Sequence, residues 1–446
     1  MKINQNAFTF VLGFLLFVSA CAQENSLQFD RQKLDKFLSL VEENDKGMGS
    51  LSIFQDGKEV YQKTIGHANK EKNIKATPET VYRIGSISKT FTATLVMMLV
   101  EEGKLSLDQK LSDFYPDIAN AADITIEMML RHRSGIFSLT DESSYTLWME
   151  KPITKEEQIA KISAYDSAFE PDSKSAYSNS NYVLLTFIVE EVTNKSFTEV
   201  IQNRIFDPLD LSLASYGQPL KGDGSDALSY YRGTEWELAS LTDPSVPRGA
   251  GAINATPTEL NLFLDALFNE KLVSQQSLDM MMEIKEGYGI GLIQVPFYEK
   301  KAYGHTGGID GFQSNAFYFP KEKVSIAYVA NGIVMPRNDI MIGVLSIYFG
   351  KDYELPDFKP AMVFTSEELE PYLGVYSSPT FPLKVTITKD GTTLIGQATG
   401  QSSFPLQAVE QHKFKFDQAG LVLEFDPEKE TMILKQGGGE FALSRE

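Results

Sequence analysis

The sequence predicts a sheet with helices packed against it, followed by a small all-β unit. Three observations carry this reading. Residues 49–54 and 58–66 alternate around Gln55-Asp56-Gly57, and an Asp-Gly step between alternating runs signals a hairpin. A helix opening near Arg83 and running to Glu102 is apolar nearly all round between Leu95 and Val100, so it must be buried. Beyond about Glu370 the pattern becomes almost wholly strand-like, with runs at 384–388, 393–398, 413–417, 421–425 and 431–436. Strands this short and evenly spaced predict a small barrel or curled sheet.

The 446 residues are enough for two domains. The change of character at Leu355-Pro356-Asp357 divides the chain into an expected leader at 1–21, a main domain at 22–355 and a C-terminal domain at 356–446. In the leader, Lys2, the apolar run 7–18 and Ser19-Ala20-Cys21 have the three regions of a secretory signal. The run is too short to span a bilayer comfortably. Val18-Ser19-Ala20-Cys21 resembles a bacterial lipobox, in which the cysteine is lipid-modified and becomes the first mature residue; Ala20-Cys21-Ala22 also fits ordinary cleavage. The lipobox is favoured because Cys21 is the single cysteine of the chain. The expectation is export to the cell envelope, with a lipid anchor as the one membrane attachment and no disulfide in the folded part. A net charge of −19 supplies no basic stripe for phosphates and argues against nucleic acid as a partner.

Taken in order, a helix is expected at 31–43, with Leu34, Phe37, Leu38 and Val41 on one face. Short helices follow Gly103, the second ending at Arg131-His132-Arg133-Ser134-Gly135. Residues 137–172 are irregular, with Trp148, Pro152 and Pro171, and are expected to wall a cleft. A helix after Tyr182 turns Val183, Leu184, Phe187, Ile188 and Val192 inward, and residues 216–247 supply the opposite rim. Thr256-Pro257-Thr258-Glu259 reads as a capping box with proline at the first helical position. Strands are expected at 288–295, 301–304, 314–319 and 324–331, then a closing helix at 340–349.

Chemistry concentrates in three short motifs. In Ser86-Ile87-Ser88-Lys89 the 3.6-residue turn puts a hydroxyl and an amine on one helical face, a base beside a nucleophile. A chain of this length holds about one or two S-x-x-K matches by chance, but this one opens a buried helix, whose first N–H groups suit developing negative charge. Tyr177-Ser178-Asn179 precedes another helix, where side chains can project into a cavity. His305-Thr306-Gly307-Gly308 ends a strand, and paired glycines let backbone approach a ligand. Taken singly, Tyr177 is a buried aromatic and Asn179 a helix cap; the order of the three motifs along the chain gives the set its weight, and His132, outside it, reads as a satisfied structural histidine. The sequence offers no zinc-ligand cluster and no phosphate-binding glycine loop.

This ordered set resembles the serine β-lactamase and penicillin-binding-protein superfamily, particularly the branch of class C β-lactamases, D-alanyl-D-alanine carboxypeptidases, D-aminopeptidases and related esterases. The similarity runs over residues 34–349 and takes in 82–88, 130–136 and 249–256. It implies an α/β (α+β) sandwich, an antiparallel sheet flanked by helices with a helical subdomain, followed by a small β-barrel appendage. It further implies Ser86 as acylated nucleophile, Lys89 as its proton acceptor or relay, Tyr177 as general base and then acid, and Asn179 holding a substrate amide. His305, Thr306, Gly307 and Gly308 would bind substrate, with the amides of Ser86 and Gly308 forming an oxyanion hole. Many relatives carry lysine where His305 stands; histidine there points towards D-amino-acid peptidases. The expected function is an exported serine hydrolase of small esters, amides or peptides, without metal or organic cofactor. Its runner-up is a β-lactamase or D-Ala-D-Ala carboxypeptidase proper, and a rival of another class is a catalytically silent envelope protein that binds peptidoglycan fragments or a protein.

Overall fold

Helix α1 (Arg31–Glu43) begins where the Asp30 side chain accepts a hydrogen bond from the Lys33 amide, and it buries Leu34, Phe37, Leu38 and Val41, the stripe its period requires. The computed structural model describes residues 29–358, 362–379, 381–416, 419–436 and 439–446; Cys21 and the leader lie outside them. After α1 come β1 (Gly47–Gln55) and β2 (Lys58–Ile65), joined at the expected Asp56-Gly57 turn. Much later, β3 (Ile293–Phe297), β4 (Lys300–Ile309), β5 (Phe312–Phe319) and β6 (Val324–Ile333) complete an antiparallel sheet. Its order is β3-β4-β5-β6-β1-β2, so the earliest hairpin pairs with the last strand.

Strand periodicity divides the core into two layers. Leu51, Ile53, Phe317, Phe319, Ile326 and Tyr328 face α1 and α5 (Arg337–Tyr348). Ala316, Tyr318, Ala327 and Val329 face the other way, towards α2 (Ser88–Glu101), α3 (Asn179–Thr193) and α4 (Pro257–Phe268). Strand β1 is buried along its whole length. Its alternation does not therefore mark a wet face: Ser50 bonds Tyr82 and Ser52 takes a bond from Asn261. Stacking of Phe91 on Phe263 joins α2 to α4, their ring centroids 3.6 Å apart. The capping box at Thr256 and Glu259 forms as expected and α4 is capped by Asn269.

Several expectations are corrected. The stretch 137–172 holds two helices, Tyr145–Trp148 and Lys155–Ser163; the second opens on a Thr154/Glu157 capping box that the sequence displays. Helices Phe197–Ile201 and Gln275–Met282 were not expected either. Residues 288–292 stay outside the sheet, while β4 runs on through Ile309. Its glycines remain in the ladder because Gly307 and Gly308 pair with Ser314 and Gln313.

The C-terminal part is a closed barrel of eight antiparallel strands, β7 (Gly374–Ser378), β8 (Phe381–Asp390), β9 (Thr393–Ala398), β10 (Phe404–Glu410), β11 (Lys413–Phe416), β12 (Leu421–Asp426), β13 (Thr431–Gln436) and β14 (Gly439–Arg445). Each strand pairs with its neighbour and β14 closes on β7. Val385, Ile387, Leu394, Leu423, Met432 and Leu434 fill it. The sequence reading missed β7, β10 and β14, two of them rich in glycine, serine or proline, residues that weaken a strand pattern.

Candidate active site

Gly85 fixes the geometry around Ser86. Its φ is +53°, a value glycine adopts freely, and a Cβ there would stand 2.8 Å from the Gly308 nitrogen. Residues Gly85–Ile87 form a 3₁₀ turn and the α-helix starts at Ser88, which corrects the reading of one continuous helix from Arg83. The tighter turn still leaves Lys89 beneath Ser86, with Nζ 3.1 Å from Oγ.

Lys89 is completely buried. Its Nζ donates to Asn179 Oδ1 at 2.7 Å and to the Ala250 carbonyl at 2.8 Å. Burial holds its pKa well below that of an ordinary lysine, because removal from water penalises the charged form. A neutral amine has two protons and one lone pair. In that neutral form the two carbonyl oxygens would take the protons and leave the lone pair for the Ser86 hydroxyl, the reverse of the bond that the charged amine donates to Ser86 Oγ.

Tyr177 places its hydroxyl 2.7 Å from Ser86 Oγ, and burial raises its pKa. His132 grips both neighbours of Tyr177: its carbonyl accepts from the Ala176 amide at 2.9 Å, and its Nδ1 accepts from the Ser178 amide at 3.1 Å. The His132 ring lies 4.5 Å from the Tyr177 ring, so this histidine is a structural clamp. Asn179 is the first residue of α3, with Ser178 in the cap position, so Asn179 is not the cap. Its Nδ2 donates to Thr140 Oγ1 at 2.9 Å.

His305 lies within β4, buried, with Nδ1 against the Thr306 carbonyl. Burial, then the nearby Lys89, lowers its pKa to about 4. Gly307 has a steric reason: a Cβ there would meet the Ile84 carbonyl at 2.0 Å. Around Gly308 there is open space. Thr306 borders both the cavity at Ser86 and an apolar groove beside α5.

The profile of the family described as Beta-lactamase matches residues 38–341, more than half of the chain. This chain belongs to the beta-lactamase family. Teichoic acid D-alanine hydrolase of Staphylococcus aureus is 27% identical over 318 residues, 69% of this chain and 76% of the relative. PbpX of Bacillus subtilis, named for penicillin binding, is 28% identical over 267 residues. That match takes in 59% of this chain and 65% of PbpX, just under two thirds of its length. Among solved structures, D-amino acid amidase from Ochrobactrum anthropi SV3 has a TM-score of 0.61 at 26% identity, covering 71% of this chain and 98% of its own. The octameric penicillin-binding protein homologue from Pyrococcus abyssi has a TM-score of 0.66 at 28% identity, covering 93% of this chain and all of its own. Its likeness therefore extends into the barrel.

In this family member two cavities meet at Ser86 and Gly308. One, of about 350 Å³, is bordered by Asn179, Leu139, Met149 and Val246; the other, of about 550 Å³, by Tyr177, His305 and Arg337. Arg337 was not singled out by the sequence, which carries no signal for it, because its place depends on how α5 packs across β4 and β5. Its Nη1 donates to the carbonyls of Gly307 and Ser314, while Nε is buried without a partner. Arg248, a second cation near this part of the chain, turns away to Gln158 Oε1 and the Ile153 carbonyl, over the Phe187 ring.

Proposed function

We propose that the chain is an exported serine hydrolase that forms an acyl-enzyme at Ser86 on small esters or amides, including D-amino-acid peptides of cell-wall type. The observation that carries this reading is the Lys89 amine, buried, claimed by two carbonyl oxygens and directed by its remaining bond at Ser86 Oγ. Serine is a weak nucleophile until a base takes its proton. Lys89 accepts that proton as Oγ bonds to the substrate carbonyl carbon. The amides of Ser86 and Gly308 hold the resulting oxyanion, each donor contributing about 3 kcal/mol. As the bond to the leaving group breaks, Tyr177 gives its proton to the departing atom and is reprotonated from Lys89. Water then enters by the same route in reverse and releases the acid.

The alternative of β-lactamase or carboxypeptidase action proper draws support from Arg337, a cation beside the cavity that could pair with a substrate carboxylate. Location at the envelope, anchored through Cys21, is supported by the leader sequence and by relatives named for teichoic acid and penicillin binding. Intact-mass measurement after a fluorophosphonate and, separately, a penicillin tests the proposal. One adduct on wild type and none on Ser86→Ala is expected; retained labelling in that variant would overturn it. Adduct formation by penicillin distinguishes the alternative.

A further inference from the structure

The two cavities that meet at Ser86 differ in chemistry, and their positions relative to Tyr177 assign them to the two halves of a substrate. This rests on the serine hydrolase reading above. An acid that protonates the leaving group must stand beside it, and Tyr177 borders the Arg337 cavity alone. The acyl half of the substrate therefore extends the other way, past Asn179. There the walls are Leu139, Met149, Val183 and Val246, with hydroxyls of Thr140, Tyr145, Tyr231 and Thr242 between them.

Only one charged side chain, Asp310, borders that chamber among the described residues, and its charge is already neutralised. The carboxylate is fully buried and sits 2.8 Å from Arg83 Nη1. It also accepts from the Thr242 amide at 2.9 Å and the Thr242 hydroxyl at 2.7 Å. Arg83 in turn donates to the Thr242 carbonyl. Neither an ammonium nor a carboxylate entering the chamber finds a free counter-charge there, so a charged group gains no ion pair for the water it gives up. Asn179 Nδ2 spends one proton on Thr140 and keeps a second for an acyl-side carbonyl.

We infer that this chamber is an acyl-binding subsite for uncharged apolar groups: alkanoyl, aroyl or N-acylated D-aminoacyl donors, to the exclusion of acyl groups with a free ammonium. Its volume of about 350 Å³ falls at the small end of the range for ligand pockets and suits a branched or aromatic side chain. Selectivity is thus set by Met149 and Val246 on the acyl side, away from the motif residues.

The test uses the full-length protein and two substrate series. Across p-nitrophenyl acetate, butyrate and hexanoate, kcat/KM should rise about fourfold per methylene, the factor for burying one CH₂. With p-nitrophenyl esters of D-phenylalanine at pH 6, where a free α-amino group is charged, the N-acetyl form should be preferred over the free amine by at least about tenfold. Val246→Trp should flatten the first series, and Met149→Asp should raise the relative rate of the free amine; thermal melts establish that each variant is folded. A flat or falling series in wild type, or preference for the free amine, overturns the inference without any variant. Fluorophosphonate labelling of Ser86 separates the two levels. A labelled Ser86 with no chain-length dependence sinks the chamber alone, whereas turnover that survives in Ser86→Ala sinks the hydrolase reading and the chamber with it.

Discussion

The sheet domain and the barrel bury their residues by different rules. Every buried polar or charged residue among the described ones, from Ser50 to Ser346, lies before the barrel. The barrel core is apolar apart from tyrosine hydroxyls. The sheet domain encloses Lys89, Arg131, His132 and His305, each held by carbonyls or ring contacts, and a buried polar group is costly unless so bonded. Stability alone does not call for such a core. Polar burial runs through the sheet domain, from Gln55 and Asn69 to Ser325 and Ser346, and takes in the Lys89 amine beside Ser86, whereas the barrel closes on apolar packing.

The largest effect that could break this contrast is at Ser86. Replacing it by alanine should lower kcat by more than about 10⁴-fold with an unchanged thermal melt. Leu423→Ala, in the centre of the barrel, should cost about 2–5 kcal/mol and leave kcat per folded molecule as it was. A barrel substitution that altered kcat would mean that the two regions are not separate in function.

Next is Lys89→Met, expected to lower kcat by about 10²–10⁴-fold; removal of a desolvated amine offsets the loss of its bonds to Asn179 Oδ1 and the Ala250 carbonyl, so the thermal melt should change little. In wild type, activity should fall as pH drops through the lowered pKa of Lys89, since the protonated amine can no longer accept from Ser86. A pH profile without that acid limb would assign the base elsewhere.

Of intermediate size is the buried Arg83–Asp310 pair, with side chains 5% and 0% exposed. Asp310→Asn should cost about 3–5 kcal/mol by leaving Arg83 uncompensated, measured by urea unfolding. His305 contributes to the pH dependence of the same measurement. Its folded pKa of about 4 lies below the unfolded value of about 6.5, so the unfolded chain binds more protons between the two. Stability is then full above about pH 6.5 and declines by up to roughly 3 kcal/mol as pH falls to 4. His305→Asn should flatten that slope.

Smaller effects sharpen the boundary. His305→Lys should shift kcat/KM towards a carboxylate-bearing substrate over a matched neutral ester by about tenfold, the scale of about 1.4 kcal/mol for one charge contact. The smallest effect belongs to the barrel itself: we propose a separable unit at 356–446, so truncation near Asp357 should leave ester hydrolysis measurable. A soluble, folded truncation without turnover would show that the barrel contributes to the site.

The sequence by itself determined the local elements that follow from short-range physics. The α1 stripe at Leu34, Phe37, Leu38 and Val41, the Asp56-Gly57 turn and the Thr256 capping box all depend on residues within a few positions of one another. It also placed Ser86 over Lys89, because one helical turn fixes that distance. The ordered motifs carried the family, and with it the flanked sheet and the appended barrel. Tertiary structure alone decided the rest. The pairing of β1 with β6 joins segments more than 250 residues apart, beyond the reach of any local period. Only the packing of α2 against α3 brings Asn179 to Lys89, and only the crossing of α5 over β4 and β5 sets Arg337 at the cavity while Arg248 turns away. The lowered pKa values of Lys89 and His305 come likewise from burial, a property of the surrounding fold and not of the residue.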